Sequence, residues 1–232
     1  MKPKQAIRPV FLVGKDVRQP VIKRLLRFRW HPGLSRAQKW RCIDALHESA
    51  LAEMPRLDKV LEVSRSSAEP LGRALSAFNL ATHLPGIGRV SVESAYQCAK
   101  VFDTGGPFIH LIGQPPDQVR RAMAPHANSR LLGFQLDDRN WPLAPETLFY
   151  DWLYAGALKQ QHALLEAASA WPAFSDIHFN PRRSRACQAE ALARAVALFR
   201  NGCFEQALAS PDAFRKLAFA DAQPAHQTEL PL

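Results

Sequence analysis

Residues 91–100 limit how this chain can fold more than any other segment. At about 100° per residue in a helix, Glu93, Tyr96, Gln97 and Lys100 fall within an arc of roughly 100°, with apolar residues behind them. The apolar side must pack on a core, and the polar side carries an acid, an amide and an amine. That polar side is either a row of reactive groups or an ordinary solvated helix face.

Composition favours a folded protein of one large domain or a core with an extension. The chain has 232 residues, of which 47% are hydrophobic and 22% charged. No apolar run approaches the roughly 20 residues that span a bilayer, and no secretory core segment follows the first residues. We therefore expect a cytoplasmic protein without membrane contact, whose scattered cysteines are reduced thiols.

The net charge of +9 is concentrated near the N-terminus. Lys and Arg number 15 against 7 Asp and Glu in residues 1–70, 8 against 9 in 71–180, and 7 against 5 in 181–232. A near-neutral body with a basic extension favours a catalytic core joined to an element that binds a polyanion, because phosphate contacts supply most sequence-independent affinity for nucleic acid. A general solubilising bias of the surface is the alternative.

Local signals predict a strand–helix extension followed by a mainly helical core. Ser35 and Gln38 have the spacing of a capping box, which predicts a helix over 35–52, and residues 26–30 alternate apolar and basic side chains. Strands are predicted over 10–13, 26–30 and 60–63. Ser91 can cap the helix that carries Glu93. Further helices are predicted over 116–124, 145–168, 184–202 and 210–220.

These elements predict an α+β fold that is mainly α-helical. We expect a basic extension at residues 1–70 packed on a catalytic core at 71–222, with a flexible tail at 223–232.

Several common chemistries lack their motifs. The eight histidines lie far apart, and His47 and Glu48 are not followed by the second histidine of a zincin helix. Neither a phosphate-binding loop, nor a dinucleotide fingerprint, nor a nucleophile elbow is present. We expect no metal and no cofactor, with a metal site assembled only by tertiary structure as the open alternative.

Residues 89–102 resemble the signature helix of the NADAR family, P-[ST]-V-E-H-x-[YF]-Q-x-x-K-[FY]. The positions that match in register are Val92, Glu93, Tyr96, Gln97 and Lys100. Residues 75–79 are similar to the family's upstream S-N-F segment, and the order of later elements agrees over roughly 71–200. Two positions depart from the family: Ser94 replaces its histidine, and Ala77 replaces its asparagine.

A narrower resemblance points to the NADAR antitoxins paired with DarT-type toxins, which ADP-ribosylate bases in DNA. It is carried by residues 28–33 with the helix at 35–50, and by residues 75–80, 149–154, 179–184 and 187–189. The resemblance implies a NADAR (YbiA-like) core and an N-glycosidase that removes ADP-ribose from guanine bases, so that the antitoxin reverses the toxin's modification. It implies ADP-ribosylated DNA, single-stranded, and the cognate toxin as partners.

The same resemblance assigns roles to Glu93 and Lys100. A carboxylate stabilises the positive charge that develops on the anomeric carbon, which suits Glu93. The Lys100 amine would attack that carbon and hold the opened sugar as a Schiff base. Because about 10 Å of helix rise separates the two residues, we expect them to flank a ribose. Burial would lower the pKa of Lys100 and Glu93 would raise it, so the balance stays open.

Other residues are candidates for substrate binding. An aromatic ring can stack on a base and an asparagine can bond ribose hydroxyls, although core packing and a turn explain the same residues. Residues 180–188 form a predicted loop-to-helix start, which suits a pyrophosphate or is simply a capped helix with exposed arginines. The candidates are Ser76, Phe78, Asn79, Tyr96, Gln97, Asp151, Trp152, Asn180, Arg182, Ser184 and Gln188, with Arg183 in the same loop.

Three further interpretations remain open. Residues 227–232, from Gln227 to Leu232, are similar to the short peptides that dock on the DNA sliding clamp, or are a plain terminal tail. The protein is alternatively an N-glycosidase acting on a free ribosyl-phosphate metabolite. It is otherwise a non-catalytic protein of the same fold that binds nucleic acid or the toxin.

Overall fold

The computed structural model describes residues 4–182 and 184–220, which form a mixed α and β fold. The strands are β1 (Gln5–Asp16), β2 (Gln19–Arg29), β3 (Leu61–Glu62), β4 (Ala81–Leu84), β5 (Gly88–Ser91), β6 (Lys100–Phe102), β7 (Leu131–Leu136), β8 (Arg139–Trp141) and β9 (Ala173–Ser175). The helices are α1 (Arg36–Glu53), α2 (Pro70–Ala74), α3 (Val92–Cys98), α4 (Pro116–Met123), α5 (Leu148–Gln160), α6 (His162–Ala168), α7 (Gln188–Arg200), α8 (Phe204–Ala207) and α9 (Pro211–Ala218).

About 41% of the described residues are helical and 23% lie in strands. The mixed composition is therefore confirmed, whereas the expected dominance of helices is not. In the described part of the chain, no helix has both the length and the apolar character needed to cross a membrane.

The strands β1 and β2 form a long antiparallel hairpin in which Gln5 pairs with Arg29. Leu26 and Phe28 are buried whereas Arg27 and Arg29 are exposed, so the predicted apolar and basic faces are confirmed. The predicted lengths, 10–13 and 26–30, were too short. Hydrogen bonding between β1 and β2 extends both strands into residues whose sequence pattern does not by itself predict a strand.

A four-stranded sheet places these strands in the order β2-β1-β9-β3. Strand β9 pairs antiparallel with β1 and parallel with β3, with Phe174 opposite both Phe11 and Leu61. Strands from both sides of residue 70 therefore share one sheet. The division of the chain into a 1–70 extension and a 71–222 core remains a prediction.

Helix α1 begins where the capping box predicts. The Ser35 hydroxyl accepts a hydrogen bond from the Gln38 backbone N–H, and Gln38 Oε1 accepts from the Ser35 N–H. Its buried face, which includes Ile43 and Leu46, packs with Val10 and Phe28 of the hairpin. The helix therefore covers one face of the sheet. A second and larger core cluster includes most of α5 and α7.

Two predicted helices have different bounds in the structure. The helix predicted over 145–168 begins at Leu148 and is interrupted at Gln161, which separates α5 from α6. The helix predicted from Ser184 begins only at Gln188, so Asn180, Arg182 and Ser184 lie in the preceding loop rather than at a helix start. The helices at 116–123 and 211–218 agree with prediction, and Ser210 caps the latter as expected.

Helix α3 is shorter than the signature pattern predicts. Ser91 caps it as expected, but it ends at Cys98, and Lys100 begins strand β6 opposite Phe134. The Gln135 N–H donates to the Ala99 carbonyl at 2.7 Å, so pairing with β7 takes over the backbone. The expectation that Glu93 and Lys100 share one helix is therefore wrong.

A buried polar network fixes β9 to β3. Glu62 Oε1 accepts from the Ile177 N–H at 2.9 Å and from the Ser64 hydroxyl at 2.7 Å. The Ser175 hydroxyl lies 2.6 Å from Glu62 Oε2 and 2.8 Å from His47 Nε2. Burial, with the nearby Asp176 charge, raises the pKa of Glu62 to about 8, and burial lowers the pKa of His47 to about 4. At neutral pH the protonated Glu62 can donate to Ser175, which donates to the neutral imidazole.

Replacing Glu62 by Gln is expected to reduce the pH dependence of stability. Folded Glu62 keeps a proton that the unfolded chain, with a pKa near 4.5, has released, so the free energy of unfolding falls as the pH rises towards about 8. The glutamine can still donate to Ser175 but cannot ionise. Between about pH 7 and pH 8.5 the decline should shrink by about 1 kcal/mol, measured by urea unfolding.

The matched control is Glu48→Gln on the exposed face of α1. It should keep the wild-type decline above neutrality. An equal decline in Glu62→Gln and wild type would contradict the buried, proton-holding role of Glu62.

Candidate functional site

A cavity of about 550 Å³ lies where α3, the end of β9 and the start of α7 meet. It is lined by Ser64, Arg65, Ser66, Ser76, Phe78, Glu93, Tyr96, Gln97, Tyr150, Asp176, His178, Phe179, Ser184, Ala186 and Gln188. The structure thus brings together seven of the predicted site residues: Ser76, Phe78, Glu93, Tyr96, Gln97, Ser184 and Gln188.

The acid and the amine are joined through an amide. Gln97 Nε2 donates to Glu93 Oε1 at 2.8 Å, and Lys100 Nζ donates to Gln97 Oε1 at 2.6 Å. Glu93 and Gln97 line the cavity, whereas Lys100 lies behind Gln97 with its amine 5.2 Å from the centroid of the Tyr96 ring. We call these three side chains the Glu93–Gln97–Lys100 relay.

The environment of Lys100 favours its neutral form more than water does. Burial lowers the pKa of Lys100, and the negative charge of Glu93 only partly opposes that effect. Burial therefore affects the pKa of Lys100 more than the charge of Glu93 does, which the sequence alone left open. A lysine with a lowered pKa is a better nucleophile near neutral pH, because more of it carries a free lone pair.

Asp176 is a second carboxyl in the cavity. Its Oδ1 accepts from the His178 N–H and its Oδ2 accepts from Gln188 Nε2, both at 2.9 Å. Gln188 Oε1 in turn accepts from the Ala77 N–H at 2.7 Å. Burial raises the pKa of Asp176, and the charge of Glu93 contributes to the rise. Glu93 and Asp176, two acids with different surroundings, therefore line the same cavity.

The aromatic side chains serve two different purposes. Tyr96 stacks on Phe134 and meets the edge of Tyr150, with ring centroids 5.2 Å and 4.8 Å away, so most of this ring is anchored in the core. Phe78 is 46% exposed and has the Arg65 guanidinium 4.2 Å from its centroid. Phe78 is thus the aromatic group best placed to meet a ligand.

Four other predicted residues have local or core partners and do not line the cavity. Asn79 donates to the Arg73 carbonyl at 2.8 Å within a turn. Buried Asp151 forms a 2.9 Å ion pair with Arg194, and Trp152 packs between Trp141 and Phe214. Arg182 is exposed on the loop before α7.

Asn180 lies beside the cavity rather than in it. It lines a neighbouring depression and accepts a hydrogen bond from the Arg182 N–H. The substrate roles of these residues remain predictions. Arg183 and residues 227–232, with the clamp-binding peptide, lie outside the described residues.

The cavity includes residues that the sequence reasoning did not single out as site residues. Ser64, Arg65 and Ser66 belong to the polar connection after β3, and Asp176, His178 and Phe179 follow β9. The remaining two are Tyr150 and Ala186. The sequence did contain a signal for these residues, because a polar run follows each of the two buried strands directly. Parallel neighbours such as β3 and β9 end at the same edge of a sheet, so the two polar runs meet there. Across 4–182 and 184–220, no three His, Cys, Asp or Glu side chains are grouped to hold a metal ion.

Comparison with known proteins places the chain in a family. The model of the family described as the DarT1-associated NADAR antitoxin matches residues 6–228, which is nearly the whole chain. The chain therefore belongs to the DarT1-associated NADAR antitoxin family, and the resemblance found in the signature segment is confirmed. No curated protein matches the chain.

Replacing Glu93 by Gln is expected to lower the pKa of Lys100 further. The carboxylate is the group that opposes desolvation of the ammonium, so its removal leaves burial unopposed. An NMR titration with isotope-labelled lysines measures the change. Glu166→Gln, on the exposed side of α6, is the control and should leave Lys100 unchanged. A pKa that rises in Glu93→Gln would contradict this electrostatic account.

Replacing Asp151 by Asn is expected to cost about 3 kcal/mol of unfolding free energy, because it leaves the buried Arg194 guanidinium without its nearest counter-charge. The matched control is Glu190→Gln, which removes the outer partner of the same arginine, 3.3 Å away, and should cost less than about 1 kcal/mol. Urea unfolding measures both. Equal losses in the two variants would show that the buried pair has no special structural role.

Proposed function

We propose that this protein is an N-glycosidase that removes ADP-ribose from guanine bases of DNA. It acts as a cytoplasmic antitoxin by reversing the modification made by a DarT-type toxin. The observation that carries the proposal is the Glu93–Gln97–Lys100 relay at the wall of the 550 Å³ cavity. Membership of the DarT1-associated NADAR antitoxin family supports the part of the proposal that concerns an antitoxin to a DarT-type toxin.

Glu93 suits the breaking of the bond between the sugar and the base. As that bond lengthens, positive charge develops on the anomeric carbon, and a carboxylate in a partly buried cavity stabilises it more than water does. Glu93 lines the cavity, and Gln97 holds one of its oxygens through a hydrogen bond. The carboxylate therefore has a defined position before the substrate enters.

Lys100 supplies the nucleophile in this proposal. Its amine leaves Gln97, attacks the anomeric carbon as the guanine nitrogen departs, and passes a proton to Glu93. Opening of the sugar ring gives a Schiff base, which water hydrolyses to free ADP-ribose and the regenerated lysine. The lowered pKa of Lys100 supports the attack, and its place behind Gln97 requires a rotation of the side chain into the cavity.

Asp176 is the group best suited to give a proton to the departing base. Its raised pKa means that it keeps a proton to higher pH than an ordinary aspartic acid. Gln188 and the His178 N–H hold its two oxygens, so the carboxyl is oriented without a bound substrate. Glu93 and Asp176 then divide the roles of charge stabilisation and proton donation.

Glu93→Gln and Lys100→Met are each expected to lower kcat about a hundredfold or more on ADP-ribosylated single-stranded DNA, because each removes a group that acts in the transition state. Free ADP-ribose is quantified by chromatography and mass spectrometry. Lys159→Met is the matched control, since this exposed lysine pairs with Glu205 at the surface and should retain activity.

Each other outcome of this assay has a meaning. Full activity in both variants would refute the catalytic assignment. An inactive, correctly folded wild type would favour a non-catalytic protein that binds nucleic acid or the toxin. Activity on a free ribosyl-phosphate metabolite, without steep loss as salt rises, would favour the small-molecule glycosidase. A borohydride-trapped adduct that disappears in Lys100→Met would identify the Schiff base, and its absence from an active wild type would indicate direct attack by water.

A further inference from the structure

Two surface depressions open directly beside the catalytic cavity. One, of about 600 Å³, shares Arg65, Ser66 and His178 with the cavity. The other, of about 280 Å³, shares His178 and Ser184 with it, and Lys39 lines both depressions. All three spaces therefore meet at His178. We call the two depressions together the α1 groove, because the first turn of α1 forms one of its walls.

The α1 groove carries three cations that have no carboxylate partner among the described residues. Arg36, Lys39 and Arg65 line it, and among the described residues no carboxylate lies within ion-pair distance of them. Arg73 also lines the groove but donates to the carbonyls of Ser67 and Ala68, so its guanidinium is committed to the fold. Three cations with no local acid suit a chain of phosphates.

Two indole rings, those of Trp30 and Trp40, pack against cations of this region. The Arg36 guanidinium lies 4.6 Å from the centroid of Trp40, and Arg8 and Lys39 lie 5.5 Å and 5.9 Å from that of Trp30. The indole N–H of Trp40 donates to the Ser66 carbonyl at 2.9 Å, so the ring is held against the groove wall. Sites for single-stranded nucleic acid combine cations that bind the phosphate backbone with aromatic rings on which unstacked bases can stack.

His178 adds no positive charge at the junction. Burial and the positive charges of Lys39 and Arg65 lower its pKa. Both cations line one depression together with His178, so they lie close to the place where the groove joins the cavity. The Ser66 hydroxyl lies 2.9 Å from His178 Nε2 and holds the ring. A strand in the groove therefore meets a neutral, fixed imidazole as it reaches the cavity.

We infer that the α1 groove binds single-stranded DNA, with Arg36, Lys39 and Arg65 on successive phosphates beside the nucleotide whose base enters the cavity. The inference rests on the proposed function for the identity of that base. Binding in the groove itself does not depend on the glycosidase reaction. The pyrophosphate of ADP-ribose offers the same chemistry, so the experiment must separate the two sources of phosphate.

The first arm measures binding alone, by fluorescence anisotropy with an unmodified fluorescent oligodeoxynucleotide. Arg36→Ala/Lys39→Ala should raise Kd about 10-fold at moderate salt and reduce the slope of log K against log salt by about 1.4, the value for two phosphate contacts on a single strand. The matched control, Arg215→Ala/Lys216→Ala, removes the same charges from α9, outside the groove. It should bind like wild type.

Three results of this arm would overturn the inference: an unchanged Kd and slope in the α1 variant, an equal loss in the α9 control, or tighter binding of a duplex of the same sequence. Circular dichroism and thermal unfolding of each variant establish that a loss of binding is not a loss of fold. A conservative variant, Arg36→Lys, should keep most of the affinity, because it retains the charge.

The second arm compares ADP-ribose release from an ADP-ribosylated oligonucleotide with release from an ADP-ribosylated mononucleotide. The α1 variant should lose at least about 10-fold more kcat/KM on the oligonucleotide than on the mononucleotide. Equal losses would assign these cations to the ADP-ribose pyrophosphate and overturn the inference. An inactive wild type that still shows the binding difference would refute the proposed function and leave the groove assignment standing.

Discussion

The short strand β9 is the constraint on which the site depends. It has three residues, and both of its edges are hydrogen-bonded, to β1 on one side and to β3 on the other. The buried carboxyl of Glu62 holds the Ser175 hydroxyl and, two residues later, the Ile177 N–H. A segment hydrogen-bonded at both edges leaves Asp176 and His178 one backbone position each, and both side chains line the cavity.

Other parts of the site are fixed to that segment by single polar contacts. Gln188, at the start of α7, joins Asp176 to the Ala77 N–H, and the Glu93 N–H donates to the Ala77 carbonyl at 2.9 Å. The end of β9, the start of α7 and the start of α3 are therefore one connected unit. Because folding already orients the two carboxyl groups in the cavity, no further reorganisation is needed when a ligand binds.

Local chemistry accounts for what was predictable about the elements. The capping box at Ser35 and the N-caps at Ser91 and Ser210 lie where the sequence places them, since a cap involves residues only three apart. The long hairpin and the early end of α3 at Cys98 were not predictable in the same way. The early end of α3 depends on β7, a strand remote in sequence, and the length of the hairpin depends on pairing between its two adjacent strands; in both cases strand pairing takes up backbone groups that a helix or a loop would otherwise use.

The sequence by itself determined the family motif, the acid, the amide and the amine, and the basic N-terminal region, because these depend on residue type and order. Tertiary structure alone decided that Asp176 and His178 enter the cavity beside Glu93 and that Asp151 pairs with Arg194 in the core. The physical reason is distance along the chain. Residues about a hundred positions apart become neighbours only when strands pair and helices pack, and no local periodicity records that contact.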